Sequence, residues 1–204
     1  RHPSGGRYPL DMPAKTLPVT GDPDADALLA SEPLALLIGM LLDQQVPMEW
    51  AFKGPWTLRQ RLGGSLDAAT IAAMDPVELE ERFTQKPALH RYPAAMAKRT
   101  QALCQFIVDR YGGDAGAVWR GVRTGDELFR RLRELPGYGD EKAKIFMAIL
   151  AKRFGKKPKG WEQAAAPFSD NTPRSVADID GPQALQRVRE YKQAMKAQGK
   201  GKAD

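Results

Sequence analysis

The chain has 204 residues, a hydrophobic fraction of 42 %, a formal charge of +6 and an isoelectric point near 9.5. That length suffices for one substantial core or two small lobes, and the cationic excess favours an acidic partner such as nucleic acid or an anionic surface. A single cysteine, Cys104, excludes an intrachain disulfide framework and any four-thiolate metal or iron–sulfur site made by this sequence, and no apolar run approaches the roughly 18 residues of a spanning helix.

The opening "RHPSGGR" carries none of the fold argument, and the lead that follows, "RYPLDMPAKTLPVTGDP", is rich in proline and glycine. From there the pattern turns helical. "DADALLASE" reads as a short helix, and "EPLALLIGMLLDQQ" starts with a proline suited to a first turn. The second is apolar almost all round, the mark of a buried central helix, so its polar end, Asp43-Gln44-Gln45, is an anomaly. Pro47 closes or kinks it, and "MEWAFKGPWTLRQRLG" continues at helical spacing to Gly63-Gly64. Asp67 and Asp75 stand as N-caps before "DAATIAAM" and "DPVELEERFTQ". Further helices are predicted over roughly 93–111, with Cys104 on an apolar face as a buried structural thiol, and over 124–133, with Leu128, Phe129 and Leu132 on one face. "DEKAKIFMAILAKRFG" places Ala143, Phe146, Met147 and Leu150 on one side. Residues 156–182 read as an ordered loop with one helical turn, and 183–204 as a basic amphipathic helix fraying into a lysine-rich tail. No alternating run bounded by turn signals makes a strand, so the expected fold class is all-α.

Between the last two core helices lies "LPGYGDEKAK". Gly137 and Gly139 can take positive φ, which would aim successive backbone N–H groups to one side, and the next helix presents its free N–H groups and positive dipole end there too. Lys142 and Lys144 would reinforce such an anion site. An ordinary interhelical turn would use the same residues, and a helical interaction module is the plainest alternative.

"LPGYGDEKA" resembles the "LPGVGRKTA"-type hairpin of the helix-hairpin-helix (HhH-GPD) DNA glycosylases, the group that includes endonuclease III and the adenine and alkylpurine glycosylases. "LLIGMLLDQQVP" resembles their buried helix ending in glutamine, and "AMAKRTQALCQFIVDRYGG" the helix before their hairpin. The resemblance covers roughly 33–155, leaving 1–32 as a lead packed on the second lobe, with 156–182 and 183–204 beyond the core. It implies a two-lobed helical fold with a cleft between the lobes. The implied partner is double-stranded DNA carrying a lesion, bound by a monomer without a membrane, and a cytoplasmic, nucleoid-associated location follows. No cofactor and no iron–sulfur cluster is expected, beyond a monovalent cation at the hairpin.

The implied chemistry is base extrusion and hydrolysis of the N-glycosidic bond, with a carboxylate stabilising an oxocarbenium-like sugar. The family aspartate lies in the loop after the second hairpin helix, where this chain has "KKPKG", so Asp170, then Asp178 and Asp180, are later candidates. Asp43 competes as a catalytic acid near the cleft floor. Gln45 matches the residue inserted into the vacated stack, with Gln44 as a hydrogen-bonding partner, and Gly137, Tyr138, Gly139, Lys142 and Lys144 make the phosphate grip. Glu49, Trp50, His90 and Tyr92 are candidates for the base pocket, His90 having a surface-loop alternative; Trp56 and Trp161 are further aromatics. Glu141 stands where bifunctional members carry a nucleophilic lysine, and Met40 where adenine glycosylases carry a glutamate. Monofunctional hydrolysis of a damaged or deaminated base, uracil or another altered pyrimidine, is therefore expected, with a noncatalytic DNA-binding protein as the alternative.

Overall fold

Asp22 starts the first helix of the computed structural model, which describes residues 17–204. Its carboxylate accepts from the N–H groups of Asp24 and Ala25 at 3.0 and 3.3 Å, and Pro23 pre-sets the first turn of α1 (Pro23–Ser31). Pro33 repeats the device for α2 (Pro33–Leu42) after a 113° bend. Every residue of α2 from Leu34 to Leu42 is buried, so this helix lies at the centre of the fold, as its apolar composition requires.

α3 (Met48–Arg61) packs along α2, and Gly54 permits the close approach: a Cβ there would lie 2.5 Å from Leu42 Cδ1. Asp67 and Asp75 cap α4 (Ala68–Ala73) and α5 (Pro76–Thr84) as expected, the first accepting from Thr70 N–H at 2.8 Å and the second from Val77 N–H at 2.9 Å. Both short helices pack on α6 (Pro93–Tyr111), which ends where Gly112 turns left-handed. A 3₁₀ turn at Ala115–Val118, not anticipated from the sequence, touches α2, α6 and α7 (Gly125–Glu134).

α8 (Asp140–Phe154) organises the second group of helices. Its sequence suggests one apolar face, but Ala143 and every residue from Ile145 to Ala151 are buried. The reason is that α2, α7, α9 (Trp161–Ala165) and a 3₁₀ turn at Val176–Asp178 pack around it. The 156–182 segment is thus part of the core, contributing Trp161, Phe168, Val176 and Ile179. α10 (Pro182–Ala197) rests on the second 3₁₀ turn. Of the 1–32 lead, residues 17–31 include buried Leu17 and Val19, and α1 packs on α2 and α3; residues 1–16 lie outside the described residues.

The fold is all-α: among the described residues there is no strand, only an isolated bridge between Thr124 and Lys159. No single helix among them is long and apolar enough to cross a membrane. Because α2 contacts both α6 and α8, it joins the two groups, and the C-terminal end of α2 meets the N-terminal end of α8.

Candidate nucleic-acid interface

The polar end of α2 is pinned by a buried imidazole. His90 Nδ1 accepts the Tyr92 N–H at 3.0 Å, so the proton sits on Nε2, which donates to Leu42 O at 3.1 Å and Gln44 O at 2.9 Å. Burial lowers the His90 pKa, against the opposing pull of the Gln44 and Leu42 carbonyls, and the ring is neutral at pH 7. His90 is neither a surface-loop residue nor part of a pocket wall, because 1 % of it is exposed and all its ring nitrogens are engaged inside. It is a support for the corner that follows α2.

At that corner Gln45 takes φ +58, the only positive φ of a non-glycine among the described residues, and its side chain is exposed. Such a conformation costs about 1–3 kcal/mol and persists only where the surroundings impose it. Gln44 faces inward: its Nε2 donates to Leu41 O at 3.1 Å, and its Oε1 accepts from Arg99 at 3.1 Å. Trp50 and Tyr92, 40 % and 46 % exposed, flank His90 at ring separations of 6.5 and 6.2 Å. Glu49 is held by Arg189 of α10, with Nε 2.6 Å from Oε1.

The hairpin is stapled against the same end of α2. Gly137 takes φ +83, and a Cβ there would lie 2.4 Å from Leu41 Cδ1, so both backbone and packing require glycine. Gly139 departs from expectation: its φ of −86 is extended, it is the N-cap of α8, and a Cβ there would meet open space. No side chain caps α8. Tyr138 cannot offer its ring to DNA, because it is 3 % exposed and its hydroxyl donates to Leu37 O at 2.6 Å. Lys142 is likewise withdrawn from the outer surface, donating to Met40 O and Leu41 O at 3.0 and 2.7 Å, which satisfies carbonyls orphaned at the end of α2. Burial brings its pKa down to about 8, despite the favourable field of Asp43. Lys144 remains half-buried on α8.

The exposed cation of the hairpin is Arg133, which the sequence reading missed. Its guanidinium donates to Tyr138 O at 2.9 Å and pairs with Asp140 in the first turn of α8. Of the turn's carbonyls, Tyr138 O accepts from Arg133 and Leu135 O accepts the Tyr138 N–H at 3.0 Å. Glu141, the other acid of that turn, has Lys202 Nζ at 3.5 Å.

The later candidate carboxylates are tied to cations. Lys152 donates to Asp170 O and to the Asp178 carboxylate, both at 2.6 Å, and Arg153 lies 4.0 Å from Asp180. Asp170 is also linked toward the hairpin end of α8: Arg174, which pairs with it at 3.1 Å, donates to Lys202 O at 3.2 Å, and the Lys202 ammonium lies 3.5 Å from Glu141. Asp170 also has local duties, accepting from Thr172 N–H at 3.0 Å and pairing with Arg174 at 3.1 Å. Partial burial raises its pKa, but the hydrogen bonds from Arg174 and Thr172 outweigh this and hold the carboxyl below its usual range. Asp43 is different: it terminates α2, is 7 % exposed, and among the described residues makes no ion pair within 4.0 Å.

Two cavities lie elsewhere. One of about 710 Å³ opens against Leu36, Trp119, Leu150 and Phe154, and one of about 550 Å³ against Lys152, Arg153, Trp161 and Arg187. Cys104 is fully buried, with its thiol pushed up to about 12 by burial, which leaves it inert as a nucleophile. Among the described residues no group of three or more His, Cys, Asp or Glu side chains could hold a metal ion.

No protein-family model and no curated protein matches the chain. Among solved structures it is similar to a non-covalent endonuclease III–DNA complex, at 21 % identity and a TM-score of 0.44, over 76 % of this chain and 65 % of that one. It is also similar to a trapped endonuclease III–DNA covalent intermediate with an estranged adenine, at 21 % identity and a TM-score of 0.43 over the same shares. The chain thus spans 65 % of the length of each of these two relatives.

Proposed function

We propose that the chain is a monofunctional DNA glycosylase that hydrolyses the N-glycosidic bond of a damaged or deaminated base in duplex DNA, with uracil or another altered pyrimidine as substrate. The observation that carries this reading is the junction of α2 and α8, where buried Asp43 is followed two residues later by the exposed, strained Gln45. Duplex phosphate would dock at the uncapped N-terminus of α8 beside Arg133. Gln45 would enter the stack as the base leaves it, and the exposed faces of Trp50 and Tyr92 would receive the base. Asp43 would stabilise the positive sugar and direct water onto it.

Hydrolysis is favoured over a Schiff-base route because Glu141 occupies the family position of the nucleophile, and the Lys142 amine is committed to two carbonyls. The chain would act as a monomer in the cytoplasm, near the nucleoid. The test is a cleavage assay on labelled duplexes carrying uracil, hypoxanthine, alkylated purines or oxidised pyrimidines. Strand scission that appears only after alkali, falls by about 10²-fold or more in Asp43→Asn and leaves no borohydride-trapped adduct is expected. Activity retained in Asp43→Asn would remove Asp43 from the chemistry.

A noncatalytic helix-hairpin-helix DNA-binding protein is the second reading. It is favoured by one specific arrangement: Asp170, Asp178 and Asp180 are each paired with a cation, Arg174, Lys152 and Arg153 respectively. Salt-sensitive binding to every duplex with cleavage of none would select it.

A further inference from the structure

The basic C-terminal helix reaches the same junction. Arg189 binds Glu49 in the first turn of α3, and Lys202 lies 3.5 Å from Glu141 in the first turn of α8. The segment between them therefore runs from the first turn of α3 to the first turn of α8, close enough to Asp43 for its charge to act on Lys192. Arg174 secures it from behind, donating to the Tyr191 hydroxyl at 3.0 Å and to Lys202 O at 3.2 Å.

Lys192 follows Arg189 by three residues and so shares its face of α10. Its ammonium is half-buried and, among the described residues, has no carboxylate within 4.0 Å and no hydrogen-bond acceptor. Burial lowers its pKa, while the fields of Asp43, Glu49 and Glu141 oppose that loss and Lys202 adds to it. A cation drawn partly out of water without a partner is costly unless a ligand completes it. The three acids nearest to it belong to three different elements, and two of them are already held by Arg189 and Lys202. Lys192 is thus left without a carboxylate partner of its own among the described residues.

We propose that Lys192 is a phosphate ligand of the DNA site, gripping the backbone phosphate beside the nucleotide presented to Asp43, and that α10 forms a wall of that site. The inference rests on the DNA-binding reading above. It assigns a positioning residue to a segment that the hairpin resemblance does not reach.

The test is the salt dependence of binding to a lesion-free duplex and to one with a stable abasic-site analogue, for wild type, Lys192→Gln, Lys192→Arg and Lys196→Gln. Each lost phosphate contact lowers the slope of log K against log salt by about 0.9. Lys192→Gln is expected to lose that much slope and to weaken binding about tenfold near 0.1 M salt, where each displaced counterion counts by the inverse of its concentration. Lys192→Arg should retain the slope, and Lys196→Gln, which removes the same charge from an exposed position, should leave it unchanged. Unfolding midpoints measured on the same samples exclude misfolding as the cause. An unchanged slope in Lys192→Gln, or an equal loss in Lys196→Gln, overturns the assignment while leaving DNA binding intact. Wild-type protein that binds no duplex at low salt overturns the DNA-binding reading, and this inference with it.

Discussion

The corner after α2 is held in a strained shape by one neutral histidine, and two consequences follow. Replacing His90 with alanine leaves the Leu42 and Gln44 carbonyls without their shared donor and empties a buried space, at a cost of about 2–4 kcal/mol in denaturant unfolding. Because burial lowers the folded pKa of His90 below its unfolded value of about 6.5, the unfolded chain takes up the proton first. The stability that neutral His90 contributes is complete above about pH 6.5 and is lost as pH falls toward the folded pKa. Stability measured from pH 8 to 5 should decline more steeply in wild type than in His90→Gln; parallel curves would count against this role. Gln45 presents the opposite trade. Gln45→Gly relieves the strain at φ +58 and should raise stability by about 1 kcal/mol. It removes the side chain proposed to fill the stack, so excision or lesion affinity should drop while the unfolding midpoint rises.

At the scale of elements, the hairpin depends on Gly137 more than on Gly139. Gly137→Ala meets both the φ of +83 and Leu41 at 2.4 Å, so it should cost about 2–4 kcal/mol and separate α8 from α2, whereas Gly139→Ala, extended and facing open space, should fold normally. Denaturant midpoints of the two variants give the comparison. The same hairpin shows what was legible in sequence. Caps at Asp67 and Asp75, prolines at helix starts and the apolar α2 were readable because their partners lie within a few residues. Asp43 could be singled out because a polar end on a buried helix is a local contradiction. The inward turns of Tyr138 and Lys142 were not readable, since the carbonyls they seek, on Leu37, Met40 and Leu41, are about a hundred residues away in the chain. The arrival of Arg189 at Glu49, 140 residues distant, was hidden for the same reason.

For the whole molecule, the decisive seam is where α2 and α8 join the two helix groups, because the proposed acid lies on one and the proposed phosphate-docking end on the other. Phe146 is fully buried in that seam, 5.4 Å from the Trp119 ring and edge-on to Tyr138 at 6.1 Å. Truncating it to alanine should cost about 3–5 kcal/mol, equivalent to roughly 6–20 °C in a chain of this size. If the seam makes the two groups one cooperative unit, the loss must appear in both together. The native tryptophans allow this to be read: Trp50 and Trp56 report from α3, whereas Trp119 and Trp161 report beside α7 and α8. Variants keeping only one pair should give coincident thermal transitions, shifted equally by Phe146→Ala. A shift confined to the Trp119 and Trp161 pair would mean that the α3 side folds on its own. The relation between Asp43 and the hairpin would then be a docking equilibrium between two units, and base excision would respond to conditions that loosen the seam before either unit unfolds.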